Sequence, residues 1–331
     1  MDPFFADGRL RALWRLGFQY AAYWLLVQFY FYLFVGAWLL TAGRNVSGGL
    51  EVSLATLPPA LRLLSGVAGL LVAVLTVWLA GRFLDERPFA DFGFHLGAGW
   101  WLDLLFGMVL GALLVTVVFF IELGLGWVRV TGAFEIYDTG ASFAVSMLIP
   151  IVYFVCVGIH EETLSRGYQL KNSAEGLNYP SLGPRGAVLL AWVLTSVFFG
   201  VLHADNPNAT PISTLNIVLA GLMLGLGYVL SGELAIPIGL HITWNFFQGT
   251  IYGFPVSGVG PFGASLLETE QGGPELWTGG LFGPEGGLLI PVVMLLGMSL
   301  IALWTRLRTG KVSLSTSVAG DAHRRERQAE P

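Results

Sequence analysis

The sequence predicts an all-α, polytopic membrane protein built as a bundle of about eight transmembrane helices. Two observations carry this prediction. Of the 331 residues, 54% are hydrophobic and only 12% are charged, whereas about 25% of the residues of a soluble domain are charged. In addition, long stretches rich in Leu, Val, Ala and Gly contain no Asp, Glu, Lys or Arg. Such stretches are typical of membrane helices and differ from the alternating pattern of a membrane β-barrel.

Eight uncharged stretches have roughly the 20-residue length that a membrane-spanning helix needs. In chain order they are residues 16–43, 63–81, 104–121, 139–159, 186–202, 212–230, 234–254 and 288–305. The first stretch follows three arginines and exceeds the apolar core of a signal peptide, which is about 7–15 residues long. We therefore expect it to be a retained span.

The distribution of basic residues predicts how these spans are oriented. If both termini lie inside, the inner segments contain 14 Lys and Arg residues and the outer loops contain three, namely Arg44, Arg62 and Arg129. Because cytoplasmic loops carry an excess of basic residues, we expect both termini to be cytoplasmic.

Four units are expected along the chain. Residues 1–140 hold the first three spans, with a short charged and aromatic segment at 82–103 that we interpret as interfacial. Residues 141–255 form the core with spans four to seven. Residues 256–311 hold an irregular Gly- and Pro-rich outer loop, which could cap the bundle, followed by span eight. The polar tail 312–331 is expected to be disordered.

The remaining composition excludes some classes of protein. The only cysteine, Cys156, lies in an apolar stretch, so an intrachain disulfide framework is excluded and a small buried residue is expected. Because the charges are confined to loops and tails, we expect no nucleic-acid partner. No internal repeat is visible, which disfavours a transporter built from inverted repeats.

Two adjacent glutamates follow span four. Ionisable residues in or at the ends of spanning helices are costly and by default mark functional sites. If the helix continues, Glu162 and Arg166 lie four residues apart on one face and can pair. Glu161 is rotated by about 100° from Glu162 and lacks that partner. Two carboxyls in different environments can serve different roles; the alternative is an ordinary surface ion pair.

Two histidines and an asparagine lie on later spans. His203 ends span five, four residues after Phe199, whose ring could pack against the imidazole. His241 and Asn245 share one face of span seven, so they should point into the bundle. The alternatives are an interfacial histidine at 203 and a structural interhelical hydrogen bond at 241 and 245.

Together these groups are the ones that amide hydrolysis requires. A carboxylate near an imidazole can hold and deprotonate a water. A histidine and an asparagine on one helical face can bind the developing oxyanion. Equally, His203, His241 and a carboxylate would form a three-ligand zinc site with an open position for water.

Three motifs occur in order in this region. Residues 161–166 match EExxxR, residues 199–203 match FxxxH and residues 241–245 match HxxxN. In these motifs the sequence resembles the CPBP family of intramembrane proteases, which includes CAAX proteases and bacteriocin-processing enzymes and is also called the Abi family. The resemblance covers about 145–255 and implies an intramembrane (metallo)endopeptidase whose site lies in a cavity among spans four to seven.

The resemblance also implies a role for each residue. Glu161 is the water-activating base, aided by His203. His241 and Asn245 stabilise the oxyanion or bind a metal, while Glu162 and Arg166 occupy the remaining charged positions. The pair His160-Glu161 could begin a zinc-binding HExxH motif, but Leu164 stands where the second histidine should be. We therefore interpret His160 as an interfacial neighbour.

Two mechanisms remain open from the sequence. A Zn²⁺ ion held by Glu161, His203 and His241 would lower the pKa of bound water to about 7. Against zinc, these ligands come from three helices and an amide such as Asn245 is a poor zinc ligand. The alternative is a metal-free mechanism in which Glu161 and His203 hold the water. The sequence favours the metal only slightly.

One distance conflicts with this site. In the predicted topology Glu161 lies at the inner end of span four and His203 at the outer end of span five, too far apart to cooperate. Either span four continues past Arg166, with Pro150 starting a helix that reaches about Lys171, or span five begins later than its apolar stretch.

We predict an endopeptidase that cleaves a membrane-associated protein or peptide at or within the lipid bilayer. The resemblance implies CAAX-box protein processing in eukaryotic relatives, and peptide maturation or self-immunity in a prokaryotic plasma membrane, which is the location we expect. The alternatives are a non-catalytic membrane scaffold or immunity protein of the same fold, and an ion or proton transporter that uses the same residues as a relay.

Overall fold

A computed structural model describes residues 3–6, 9–41, 57–137 and 139–320. Seven helices in this part of the chain are long and apolar enough to cross a membrane. They are α1 (Ala12–Thr41), α2 (Pro59–Phe83), α3 (Ala98–Gly124), the continuous helix Phe143–Leu177, α6 (Gly183–Val201), α7 (Pro211–Ser231) and α10 (Ile290–Thr309). The predicted all-α polytopic fold is confirmed.

The continuous fourth helix resolves the conflict over distance. It consists of α4 (Phe143–Glu162), a π-helical segment (Thr163–Leu170) and α5 (Lys171–Leu177). Span four does continue past Arg166, which is the first of the two options that would bring Glu161 and His203 closer together. The helix begins at Phe143, however, and Pro150 lies inside it, so the expectation that Pro150 starts the helix was wrong. π-Helical turns occur frequently at functional sites.

The span predicted at 234–254 is a shorter helix than the other seven. α8 (Ala235–Phe246) continues only through a π-helical segment (Phe247–Ile251), and ten of the 12 residues of α8 are buried. It packs directly on α3: a Cβ added to Gly239 would lie 2.3 Å from the Leu104 carbonyl oxygen. Glycines at such crossings let helix backbones touch. α8 therefore lies inside the bundle.

A hydrophobic core is shared across the predicted units. Leu110 and Leu114 of α3 belong to the same buried cluster as Leu240 and Trp244 of α8 and Met294 of α10. Helices on either side of the predicted divisions at 140 and 255 thus pack together, and the divisions describe the order of segments along the chain only.

A small antiparallel sheet lies at one end of the bundle. β3 (Val128–Tyr137) follows α3 and pairs with β4 (Gly263–Gln271), with an irregularity between Val130 and Gly132. β4 lies in the outer loop that was expected to be irregular, and that expectation was wrong for this segment. The loop also contains α9 (Glu275–Thr278) and short 3₁₀ helices.

The described N-terminal residues lie near the C-terminal end of the continuous fourth helix. The short pair β1 (Phe5–Ala6) and β2 (Arg9–Leu10) leads into α1. Arg15 of α1 pairs with the buried Asp85 after α2 and with Glu175 of α5, the latter at 3.3 Å. Burial raises the pKa of the Asp85 carboxyl, although Arg15 opposes this shift.

The segment after residue 311 is partly ordered. Thr316–Ala319 forms a 3₁₀ helix whose Val318 and Ala319 are buried, and the Ala319 carbonyl oxygen accepts a hydrogen bond of 3.0 Å from Asn178 Nδ2. The predicted disorder was therefore wrong for 312–320, because these two apolar residues belong to a core cluster with residues of α5, α6, α7 and α8. Residues 321–331 lie outside the described part.

The orientation in the membrane stays a prediction that labelling can test. Cys156 is the only cysteine and is buried, so new cysteines report with little background. With cytoplasmic termini, Glu270→Cys should react with an impermeant maleimide on intact cells, and Val312→Cys should react only after lysis. Both positions are exposed. Labelling of position 312 on intact cells, with position 270 protected, would show that the orientation is the reverse of the predicted one.

Candidate active site

The three motifs meet at one cavity of about 380 Å³ between α1, α4, α6, α8 and the segment that follows α8. Four predicted site residues line it: Glu161, His203, His241 and Asn245. Glu162 and Arg166 are buried beside it. The predicted cavity thus exists, although α1 rather than α7 provides one of its walls.

Glu161 presents a free carboxylate oxygen at this cavity. Its Oε2 is buried and makes no hydrogen bond within the described chain. Nε2 of His241 lies 4.0 Å from this oxygen. A carboxylate oxygen that no protein group uses is available to accept a hydrogen bond from water or substrate.

Glu162 is held in a different environment. Its side chain is fully buried, and Oε1 accepts hydrogen bonds from Arg166 Nη1 and from His241 Nδ1, both at 2.8 Å. Arg166 also donates to the Gly221 carbonyl oxygen at 3.2 Å and lies 4.4 Å above the centre of the Phe199 ring. The predicted Glu162–Arg166 pair is confirmed. The bond to His241 was not foreseen, and it fixes the orientation of that imidazole.

His203 lies just after the end of α6 with its imidazole oriented by the backbone. Nδ1 is 2.8 Å from the carbonyl oxygen of Phe199. Because a carbonyl oxygen only accepts, Nδ1 must carry the proton, and Nε2 of the neutral ring is then an acceptor. The ring centres of Phe199 and His203 are 4.7 Å apart, which confirms the predicted packing.

Asn245 follows His241 by about one helical turn on α8. Both side chains are buried and both line the cavity, so the shared face points into the bundle as predicted. The cavity therefore has a carboxylate and an imidazole acceptor from α4 and α6, and an imidazole and an amide from α8.

Comparison with known proteins identifies the central part of the chain. Residues 143–247 match the family model described as Type II CAAX prenyl endopeptidase Rce1-like. Residues 143–247 are thus similar to this family, and we call them the Rce1-like segment. The match covers about a third of the chain, includes all three motifs and agrees with the resemblance that they indicated. It supports an intramembrane protease of the CAAX type in general terms. No curated protein and no solved structure matches the chain.

His160, the first His of the Rce1-like segment, was not placed at the cavity by the sequence. It lines the cavity, and its Nε2 is 2.9 Å from the hydroxyl of Tyr23 on α1. It does not lie at a helix end, because the helix continues for 17 residues beyond it, to Leu177, and its interfacial position in the membrane stays a prediction. Tyr23 itself was missed: it lies outside the Rce1-like segment, and a tyrosine within an apolar stretch was the only signal.

The side chains of the Rce1-like segment bear on the predicted zinc site. Among the residues that the structure describes, no group of three or more His, Cys, Asp or Glu side chains is close enough to hold a metal ion. Nδ1 of His203 and Nδ1 of His241 are each hydrogen-bonded within the protein, which leaves Nε2 of each imidazole for water, substrate or a metal ion. The predicted zinc site of Glu161, His203 and His241 therefore stays a prediction.

Proposed function

We propose that the protein is an intramembrane endopeptidase in which Glu161 and His203 activate a water without a metal ion. The observation that carries the proposal is the unbonded Oε2 of Glu161 at a cavity that also contains the acceptor Nε2 of His203. A water donating one hydrogen bond to each of these atoms is oriented for attack on a carbonyl carbon.

The proposed reaction follows the usual course of amide hydrolysis. Glu161 takes a proton from the water while the water oxygen bonds to the scissile carbonyl carbon. The tetrahedral intermediate then collapses with cleavage of the C–N bond, and the proton on Glu161 passes to the departing amine. His203 holds the water until it attacks, with its own Nδ1–H on the Phe199 carbonyl.

His241 and Asn245 are the proposed oxyanion donors. In its doubly protonated form, His241 keeps Nδ1–H on Glu162 and can donate Nε2–H into the cavity. The side-chain amide of Asn245 is a second donor at the same wall. Preorganised donors of this kind stabilise the intermediate without reorganisation during the reaction.

The proposed substrate is a membrane-associated peptide or protein segment. The walls of the cavity are largely apolar and aromatic, with residues such as Tyr20, Phe154 and Phe262, so they suit an apolar chain next to the cut. The Rce1-like match makes a prenylated C-terminal CaaX segment the first candidate. Maturation of an unmodified membrane peptide is the second.

A cleavage assay tests the function. Purified protein in proteoliposomes is mixed with a library of membrane-anchored peptides, including farnesylated CaaX peptides and their unmodified counterparts, and mass spectrometry locates new termini. We expect cleavage by the wild type and none by Glu161→Ala. Equal product from both proteins, or no product from either at any substrate concentration, would contradict the proposal and favour a scaffold.

Metal removal tests the mechanism separately. Among the described residues, no three potential ligands are close enough to hold a metal ion. We therefore expect active protein to contain less than one equivalent of zinc in elemental analysis. We also expect it to keep its activity after chelation. Loss of activity in the chelator, with recovery on zinc addition but not on magnesium addition, would instead support the zinc site that the sequence slightly favours.

A further inference from the structure

A buried carboxylate outside the Rce1-like segment connects several parts of the cavity wall. Glu285 lies in a short 3₁₀ helix (Pro284–Gly286) and is 4% exposed. Its Oε1 accepts a hydrogen bond of 3.1 Å from Trp244 Nε1. Its Oε2 accepts two bonds from Ser257, one of 2.6 Å from the backbone N–H and one of 2.9 Å from the hydroxyl.

These partners belong to the candidate active site. Trp244 immediately precedes Asn245 on α8, and Ser257 lines the cavity. The carbonyl oxygen of Ser257 accepts a hydrogen bond of 2.9 Å from Nδ2 of Asn206, whose backbone N–H bonds to the carbonyl oxygen of His203 at 3.2 Å. One set of bonds thus connects α8, the segment after it and the end of α6.

The position of Glu285 is itself fixed. Asn216 of α7 is buried, and its Nδ2 donates to the carbonyl oxygens of Glu285 and Gly287, both at 2.8 Å. Next to Ser257 the backbones fit closely, since a Cβ on Gly258 would lie 1.9 Å from the Pro207 carbonyl oxygen. The carboxylate therefore holds the segment after α8 at a defined distance from the helices.

We propose that Glu285 is a positioning residue that holds the rim segment, residues 255–262, against α8 over the substrate-binding cavity. The proposal rests on the proposed endopeptidase function. Val256, Ser257 and Phe262 of the rim segment line the cavity, whereas the proposed catalytic groups all come from helices or from the end of α6. Loosening the rim should therefore weaken substrate binding more than it slows the chemical step.

Glu285→Gln tests this role in proteoliposomes, with Glu270→Gln as the matched control because Glu270 is an exposed acidic residue of neighbouring β4. The glutamine keeps the shape of the side chain but has one acceptor oxygen instead of two. If that oxygen accepts a hydrogen bond from Trp244, the amide NH₂ faces the donors of Ser257, and the reverse holds if it accepts from Ser257. Losing one charge-assisted acceptor should raise KM by about tenfold, with kcat changed less than about threefold. The control should match the wild type.

Two further measurements separate positioning from general stability. Hydrogen exchange at residues 255–262 should be faster in Glu285→Gln and unchanged in Glu270→Gln. Ser257→Ala should raise KM when it is introduced into the wild type. Introduced into Glu285→Gln, it should raise KM much less, because both changes remove the same contact. If Glu285→Gln does not fold, Ser257→Ala alone still tests the KM effect.

The outcomes are distinguishable. Unchanged KM together with unchanged exchange would overturn the proposal, and so would a fall in kcat at constant KM, which would mean that Glu285 acts on α8 alone. If even the wild type cleaves no peptide, the proposed function fails, while exchange at 255–262 still decides whether Glu285 holds the rim segment.

Discussion

Glu161→Gln should lower kcat by roughly 10²–10⁴-fold while the protein stays folded, because this is the range that a positioned general base contributes. Glutamine has nearly the shape of glutamate but cannot take the proton of the attacking water. Oε2 of Glu161 has no hydrogen bond within the described chain, so little structural stabilisation is lost with the charge. The measurement is kcat in proteoliposomes, with size-exclusion behaviour and the apparent melting temperature as tests of folding.

Glu270→Gln is again the matched control, since it removes an exposed carboxylate away from the cavity. It should cleave as the wild type does. Near-normal turnover by a folded Glu161→Gln protein would show that another group is the base, and His203 would then be the next residue to test, because its Nε2 is the other acceptor at the cavity.

Arg166→Met should destabilise the protein by about 3–5 kcal/mol, the usual cost of leaving a buried charge without its partner. The change leaves the fully buried Glu162 with only His241 as a partner, and it also removes the contact with the Phe199 ring. Lower yield in membranes and a lower apparent melting temperature in detergent are the expected results.

A double variant separates charge from packing in this result. Adding Glu162→Gln to Arg166→Met removes the unpaired carboxylate, so the double variant should be more stable than Arg166→Met alone. It should still be less active than the wild type, because His241 then has a neutral amide oxygen as its acceptor in place of a carboxylate. Equal stability of the single and double variants would show that Arg166 stabilises the fold through its ring and backbone contacts and not through Glu162.

Local spacing explains what could be predicted from the sequence. Glu162 and Arg166 are four residues apart, as are Phe199 and His203 at the end of α6, and in both pairs this spacing by itself predicts the contact found. The motifs identified the cavity residues for a similar reason, since each motif spans no more than six residues of the chain.

Contacts between distant segments could not be predicted in this way. The bond between Glu162 and His241 joins residues 79 positions apart, and Tyr23 reaches His160 across 137. Nothing in the local pattern around Tyr23 distinguishes it from other tyrosines in apolar stretches. Likewise α8 has the composition of a lipid-facing span, and only its close approach to α3 makes it a buried one.

The continuous fourth helix has a consequence for how a substrate is presented. Glu161 lies near the middle of its 35 residues, roughly 25 Å from either end at 1.5 Å per residue. In the proposed reaction, a helical segment that enters the site from the lipid has its amide carbonyls bonded to its own backbone, because lipid offers no other donors. The bond to be cut must first leave that helix. We therefore expect glycine, proline or an unravelled chain end next to the cut to promote cleavage, and uninterrupted Leu-rich helices to pass the site intact.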